Sequence, residues 1–252
     1  MAMFISFEGG EGSGKSTQAR LLYERLQQFG ISSMSTREPG TTSLGRYLRD
    51  WLKQQRRSQE TISYVAELFL FLAARSEFVA KVLSPALKQQ SMVLISDRYA
   101  DSTTVYQGYG RRIRMADVEF VNRLATQGLM PDLTFLLDCS PEEGLKRVRI
   151  KLPLISADGG DVGRVDDEGT RRFEEEPFDF HKRVRDGYRK LAEREPARWC
   201  VIDALQSVEE ISEVVWGHVE ARLASIAGFD GESHDSTILL RAPQQSVTKL
   251  SS

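Results

Sequence analysis

Short apolar runs alternate along the chain with longer stretches in which apolar residues recur at helical spacing. The runs at residues 3–7, 32–36, 92–96, 133–138 and 199–203 read as strands, and those at 43–55, 61–82, 115–127, 141–151, 178–194 and 208–224 as helices. Regular alternation of this kind predicts an α/β fold, a parallel five-stranded sheet covered by helices on both faces. In the longest helix Ile62, Val65, Phe69, Leu72 and Phe78 mark one apolar stripe, and Leu68, Leu70 and Phe71 spill beyond it. Such a helix must bury a second face, in its own core or against a partner chain, or present an aromatic ring to a ligand. Ser140 before Pro141, with Glu142 and Glu143 behind, predicts a capped helix start. Between 152 and 176 the periodicity breaks among glycines and alternating charges, the pattern of a mobile insertion. The stretch after 226 reads as a disordered tail. The expected organisation is one domain over 1–226, interrupted by that insertion, and a tail over 227–252.

Of the 252 residues 40% are hydrophobic and 28% charged, with a formal net charge of -2. This suits a chain with a substantial core and supplies no basic field for nucleic acid or a membrane surface. Residues 1–7 lack the features of a signal peptide, and no apolar run approaches membrane-spanning length, so a cytoplasmic protein is expected. Cys139 and Cys200 lie in strand-like apolar runs and read as buried, inert thiols.

The sharpest chemical signal is Gly9-Gly10-Glu11-Gly12-Ser13-Gly14-Lys15-Ser16, followed by Thr17, between a predicted strand and a helix. It matches the P-loop pattern in its proper context. Its glycines let backbone N–H groups curl around phosphate oxygens, and the helix start adds a favourable dipole. Lys15 is expected on the β and γ phosphates of a nucleoside triphosphate and Ser16 on Mg²⁺. No N-K-x-D sequence of guanine-specific switches is present. Asp97-Arg98-Tyr99 closes a predicted strand, where ligands bind in open α/β sheets.

Phe7-Glu8-Gly9-Gly10-Glu11-Gly12-Ser13-Gly14-Lys15-Ser16-Thr17, Arg37-Glu38-Pro39-Gly40-Thr41, Asp97-Arg98-Tyr99 and Tyr106-Gln107-Gly108 together resemble the thymidylate kinase family, over about residues 4–223. The resemblance implies a P-loop nucleoside-monophosphate kinase fold, Mg²⁺-dependent transfer of the ATP γ-phosphate to dTMP, and a homodimer. It implies Glu11 on the sugar 3′-hydroxyl, Phe71 stacked on thymine, Arg75 on its O4 and Thr103 on its N3 side. Tyr106 would crowd the sugar C2′, with Gln107 as a weaker contact. Arg98, and less directly Arg49, would grip the acceptor phosphate, while Asp97 orients Arg98 or the metal's water shell. Family members carry an extra arginine either in the phosphate loop or in a lid. Gly12 occupies the loop position, so a lid at about 147–176 is expected to supply the charge, from Arg149, then Lys151, then Arg172. Arg147 would pack on adenine. A kinase for another small acceptor and a silent nucleotide-binding protein stay open as alternatives at this stage.

Overall fold

The computed structural model describes residues 2–58, 62–89, 91–150 and 171–227. In chain order the elements are β1 (Met3–Glu8), α1 (Lys15–Gln28), β2 (Ser33–Arg37), α2 (Ser43–Ser58) and α3 (Tyr64–Phe78). A π-helical turn, Val79–Leu83, joins α3 to α4 (Ser84–Leu87), which precedes β3 (Val93–Asp97) and α5 (Ala100–Thr103). A second π-helical segment, Thr104–Gly110, leads to α6 (Met115–Thr126), β4 (Leu133–Asp138) and α7 (Pro141–Ile150). After residue 170 come α8 (Arg171–Glu174), α9 (Phe178–Arg194), β5 (Trp199–Asp203) and α10 (Val208–Ala227).

The five strands form one parallel sheet in the order β2-β3-β1-β4-β5. β1 lies at its centre and is buried along its whole length. Its alternate residues serve different layers, as the two-residue period of a strand demands. Met3, Ile5 and Phe7 pack with Leu22 and Leu26 of α1 and Ile211, Val215 and Val219 of α10. Phe4 faces the opposite side, with Phe78, Val79, Leu83, Leu94 and Tyr99. A third cluster joins Leu136 to Phe180, Val184, Tyr188 and Leu191 of α9. The registers align Phe7 with Asp97, Arg37 with Asp97, and Asp138 with Asp203. Charged residues are thereby gathered at the carboxyl edge of the sheet, beside apolar strand bodies.

β2 and β3 each lie one residue further along the chain than the sequence pattern suggests. The apolar stripe of α3 is also displaced. Val65 and Phe69 are 50% and 56% exposed, while Glu67, Leu68, Leu72, Arg75 and Phe78 are buried. The inward face includes two charges, Glu67 and Arg75, each paired by a residue from another segment, Arg111 and Glu38, so a stripe traced through apolar residues alone lands beside the true one. Residues 100–110 carry helical structure that the pattern missed. Ser140 does cap α7, its hydroxyl accepting from Glu143 N at 3.3 Å. Cys139 is buried but Cys200 only half so, and both are free thiols. Most of the expected insertion and the tail from 228 lie outside the described residues. The insertion's last part is packed rather than mobile, since Phe173 is buried against Tyr106 and Phe180. Phe173 supplies the apolar anchor that the surrounding charges concealed.

One contact ties the sheet edge to α7. Gly12 has φ 69°, and a Cβ there would lie 2.1 Å from the Gly144 carbonyl oxygen; a Cβ on Gly144 would lie 2.3 Å from the Glu11 carbonyl. Each glycine thus admits the other's backbone. Gly144→Ala must displace one of the two, and we expect a loss of about 1–3 kcal/mol in urea unfolding, the usual range for overpacking. An unchanged midpoint would mean the two segments part freely.

Candidate active site

The loop between β1 and α1 ends on Gly14, which takes a left-handed conformation at the helix N-cap. Lys15 arches back over the loop, its Nζ donating to Gly10 O at 2.6 Å and to Ser13 Oγ at 3.2 Å. Burial and the nearby Arg98 push the Lys15 ammonium down to about 8. Ser16 Oγ donates to Asp97 Oδ2 at 2.5 Å, joining the first turn of α1 to the end of β3. Arg37, at the end of β2, sits on the same pair: Nη2 lies 3.3 Å from Ser16 Oγ and Nε 3.5 Å from Asp97 Oδ2. Thr17 is half-buried one residue further on.

Beside this loop a cleft with about 720 Å³ of empty space, open to solvent, is lined by residues from the loop itself, β2, α2, α3, α5, the second π-helical segment and α8. It contains Glu11, Arg49, Phe71, Arg75, Arg98, Thr103, Tyr106 and Gln107, so eight side chains named from the sequence meet around one volume. Arg75 is buried and held on every side. Its Nε donates to Glu38 Oε2 at 2.8 Å, Nη1 to Thr103 Oγ1 at 2.5 Å and Asn122 Oδ1 at 3.0 Å, and Nη2 to Tyr99 O at 3.1 Å. A guanidinium has five N–H groups, and these bonds use four. These bonds leave one N–H of Nη2 over.

Arg98 follows β3 with φ 70°, and its backbone N donates to Phe7 O of β1 at 3.0 Å. Its Nη2 donates to Glu11 Oε1 at 2.9 Å, and the same oxygen accepts from Tyr106 OH at 2.6 Å. Burial pushes the Glu11 carboxyl up, but the charges of Arg98 and Lys15 outweigh it, so Glu11 titrates below its ordinary value. Burial raises the Tyr106 phenol far above its usual range and keeps it a neutral donor. The Tyr106 ring lies 5.0 Å from the Arg98 guanidinium carbon and packs edge-on against Phe173. Phe71 faces Phe173 with ring centroids 6.2 Å apart.

Other expected residues divide differently. Arg49 Nη1 donates to Pro39 O at 3.3 Å at the cleft wall. Gln107 gives its amide to Glu67 Oε1 at 3.0 Å, a carboxylate that also receives Arg111, so its first duty is to the scaffold. Arg147 stands apart from the cleft, donating to Ala204 O at 2.8 Å just past the end of β5. Arg149 is exposed near the end of α7, in a shallow groove with Glu142, Leu145 and Phe178. Lys151 and the Arg172 side chain lie outside the described residues.

Sequence reasoning quoted Glu8, Arg37 and Glu38 within motifs but gave them no role, and it gave none to Ser102, Asn122, Phe173 and Tyr188. Glu8 had a signal, an acid ending an otherwise apolar central strand. Asn122 and Tyr188 had none, since they come from distant helices and matter only through their contacts.

The chain matches the family model described as thymidylate kinase over residues 7–215. It is 44% identical over 230 residues to a thymidylate kinase from Roseiflexus sp. (strain RS-1), covering 91% of this chain and 99% of that one. A thymidylate kinase from Solidesulfovibrio magneticus is 45% identical over 217 residues, covering 86% and 98%. The crystal structure of thymidylate kinase from Ehrlichia chaffeensis superposes with a TM-score of 0.64 at 30% identity, covering 87% of this chain and 98% of that one. With a phosphate loop opening beside an arginine-lined cleft, this chain belongs to the thymidylate kinase family, phosphotransferases that move a phosphoryl group from ATP to dTMP and yield dTDP.

Proposed function

We propose that dTMP occupies the cleft with its base against Phe71 and its phosphate on Arg98, while ATP lies along the phosphate loop with adenine at Arg147. The observation that carries this reading is the state of Arg75, whose four committed N–H bonds leave one donor at the cleft. A single fixed donor suits a base edge that offers an acceptor, as thymine O4 does, and rejects the amino group of cytosine. Thr103 Oγ1 accepts from Arg75 and keeps a second lone pair and its proton for the neighbouring N3 edge. Glu11 meets the sugar 3′-hydroxyl, Tyr106 closes the C2′ side, and Arg49 gives a further phosphate contact. Gln107 supports this wall by holding Glu67.

Each reactant is held by charge suited to it. Lys15 faces the β and γ phosphates of the donor, and Arg98 aligns the acceptor phosphate for in-line attack on the γ phosphorus. Phosphoryl transfer depends mainly on such positioning and on neutralising charge. Mg²⁺ fits the Ser16 hydroxyl and Asp97 carboxylate, adjacent hard oxygen donors, because this ion takes one or two protein oxygens and fills its shell with water and phosphate. When bound, it supplies charge neutralisation at the donor phosphates. The remaining cation for the transferring group comes from Arg149, Lys151 or Arg172, since the Gly12 position is closed by Gly144. No helix among the described residues is long and apolar enough to cross a membrane, and we place the enzyme in the cytoplasm.

We also infer a homodimer through α3 and α6. Val65 and Phe69 on α3 and Phe120 and Leu124 on α6, the latter two 70% and 72% exposed, give two touching helices an outward apolar surface. Sedimentation at micromolar concentration should show a dimer, and Phe69→Glu with Leu124→Glu a monomer. A monomeric wild-type chain would refute the inference.

Assays with ATP and a panel of acceptors should favour dTMP over dCMP by on the order of a hundredfold or more, with UMP also poor. Equal turnover of UMP would remove Tyr106 from its role. Arg75→Ala should weaken dTMP binding by about 1–3 kcal/mol and leave ATP binding nearly intact. Comparable losses for both substrates would indicate a folding defect instead. Arg149→Ala, Lys151→Ala and Arg172→Ala, measured by single turnover, should separate the three lid cations by rate with dissociation constants changed much less. Normal turnover in all three would leave Lys15 and Mg²⁺ to carry that charge.

A further inference from the structure

Beneath Arg98 lies a buried carboxylate that the phosphoryl-transfer scheme does not use. Glu8, the last residue of β1, is fully buried. Its Oε1 accepts from Tyr99 N at 2.7 Å, on the peptide that follows Arg98. Its Oε2 accepts from Ser102 Oγ at 2.6 Å and from Tyr188 OH at 2.9 Å. Those hydroxyls, 2.8 Å apart, are the ones that Arg98 uses: Nη1 lies 3.2 Å from Ser102 Oγ and 3.4 Å from Tyr188 OH, with Gly9 O at 3.2 Å. Nη2 goes to Glu11. These contacts leave Nε and one N–H of Nη2 as the part of the guanidinium free for a phosphate.

A hydroxyl has one proton, and it can accept from Arg98 only if that proton points elsewhere. An ionised carboxylate has no proton and gives both hydroxyls a place to donate. We infer that Glu8 is a positioning residue, which turns Ser102 and Tyr188 into acceptors for Arg98 and so sets the angle at which Arg98 meets the acceptor phosphate. This deepens the reading of Arg98 as the dTMP phosphate clamp and rests on it. The backbone bond to Tyr99 N works in the same direction, because Arg98 holds a left-handed φ that its neighbours must maintain. Three elements converge on this one acid, the end of β3, α5 and α9.

The charged and titratable groups around Glu8 give it a measurable signature. Asp101 on α5 opposes its ionisation, and it is itself paired with Arg198. Arg98, the Ser102 and Tyr188 hydroxyls, and Lys15 on α1 favour its ionised form. Burial and Asp101 prevail, and the carboxyl is raised to about 7. Protonated Glu8 would be a donor and would break the arrangement, and Glu8→Gln imitates that form at every pH.

The test is steady-state kinetics of the full-length enzyme from pH 6 to 8.5 with ATP and dTMP. At pH 8 Glu8→Gln should raise the dTMP KM about tenfold, as for a lost hydrogen bond to a charged group, and alter the ATP KM less than about twofold. The ratio of mutant to wild-type dTMP KM should shrink toward one by pH 6, where wild-type Glu8 is protonated. The dTMP phosphate titrates in the same range but does so for both proteins, so it cancels in the ratio. A ratio of one at pH 8, a ratio constant with pH, or an ATP KM that rises as far as the dTMP KM would each overturn the inference. Tyr188→Phe removes one of the two hydroxyls and should raise the dTMP KM about threefold, so it decides the matter if Glu8→Gln does not fold. No change in Tyr188→Phe would then sink it. Arg98→Ala separates the two roles: an unchanged dTMP KM there refutes the clamp itself, whereas a large rise with Glu8→Gln silent refutes only the role of Glu8.

Discussion

The Arg98 guanidinium is the interaction on which the site depends. It is mostly buried beside a second buried cation, Lys15, and two buried carboxylates, Glu8 and Glu11. Buried charges are tolerated only when each is paired and hydrogen-bonded. The pairing here recruits β1 through Glu8, the phosphate loop through Gly9 and Glu11, α5 through Ser102 and α9 through Tyr188. Satisfying one guanidinium thus holds together the parts that must be held for two phosphorylated substrates to meet.

The same economy appears around Arg75. Burial pushes the Glu38 carboxyl up, Arg75 draws it down, and the first effect prevails. The arginine is nevertheless placed by four bonds from three separate segments. In the proposed pose a donor fixed that tightly would discriminate by geometry, because a base without an acceptor at that point would leave a buried N–H unpaired. A looser arginine would bind more bases and select among them less well. Around both arginines most of the hydrogen-bonding capacity goes to holding the side chain, and a small remainder faces the ligand.

The glycine pair Gly12 and Gly144 bears on where the remaining positive charge can come from. The loop position that could carry a cation is filled by backbone from α7. A charged side chain there would have to displace a helix that also presents Arg147 and Arg149.

Apolar periodicity along the chain determined the α/β class, the five strands and most helices, since a strand buried on both faces and a helix with one wet face leave different traces in a linear pattern. Local motifs also carried the phosphate loop and part of the cleft lining, because Lys15, Ser16, Arg98 and Tyr106 belong to short segments with their own chemical character, while Phe71 and Arg75 came only with the family resemblance. Tertiary structure alone decided how these groups are supported. Val65 and Phe69 were traced to the core, but the inward face of α3 is completed by Glu67 and Arg75, which can be buried only because Arg111 and Glu38 arrive from elsewhere. Ser102, Asn122 and Tyr188 are unremarkable by type and far apart in sequence. They become part of the site because parallel strand register and helix packing bring them against two buried arginines, and a hydrogen bond between residues ninety positions apart leaves no mark on either one's neighbours.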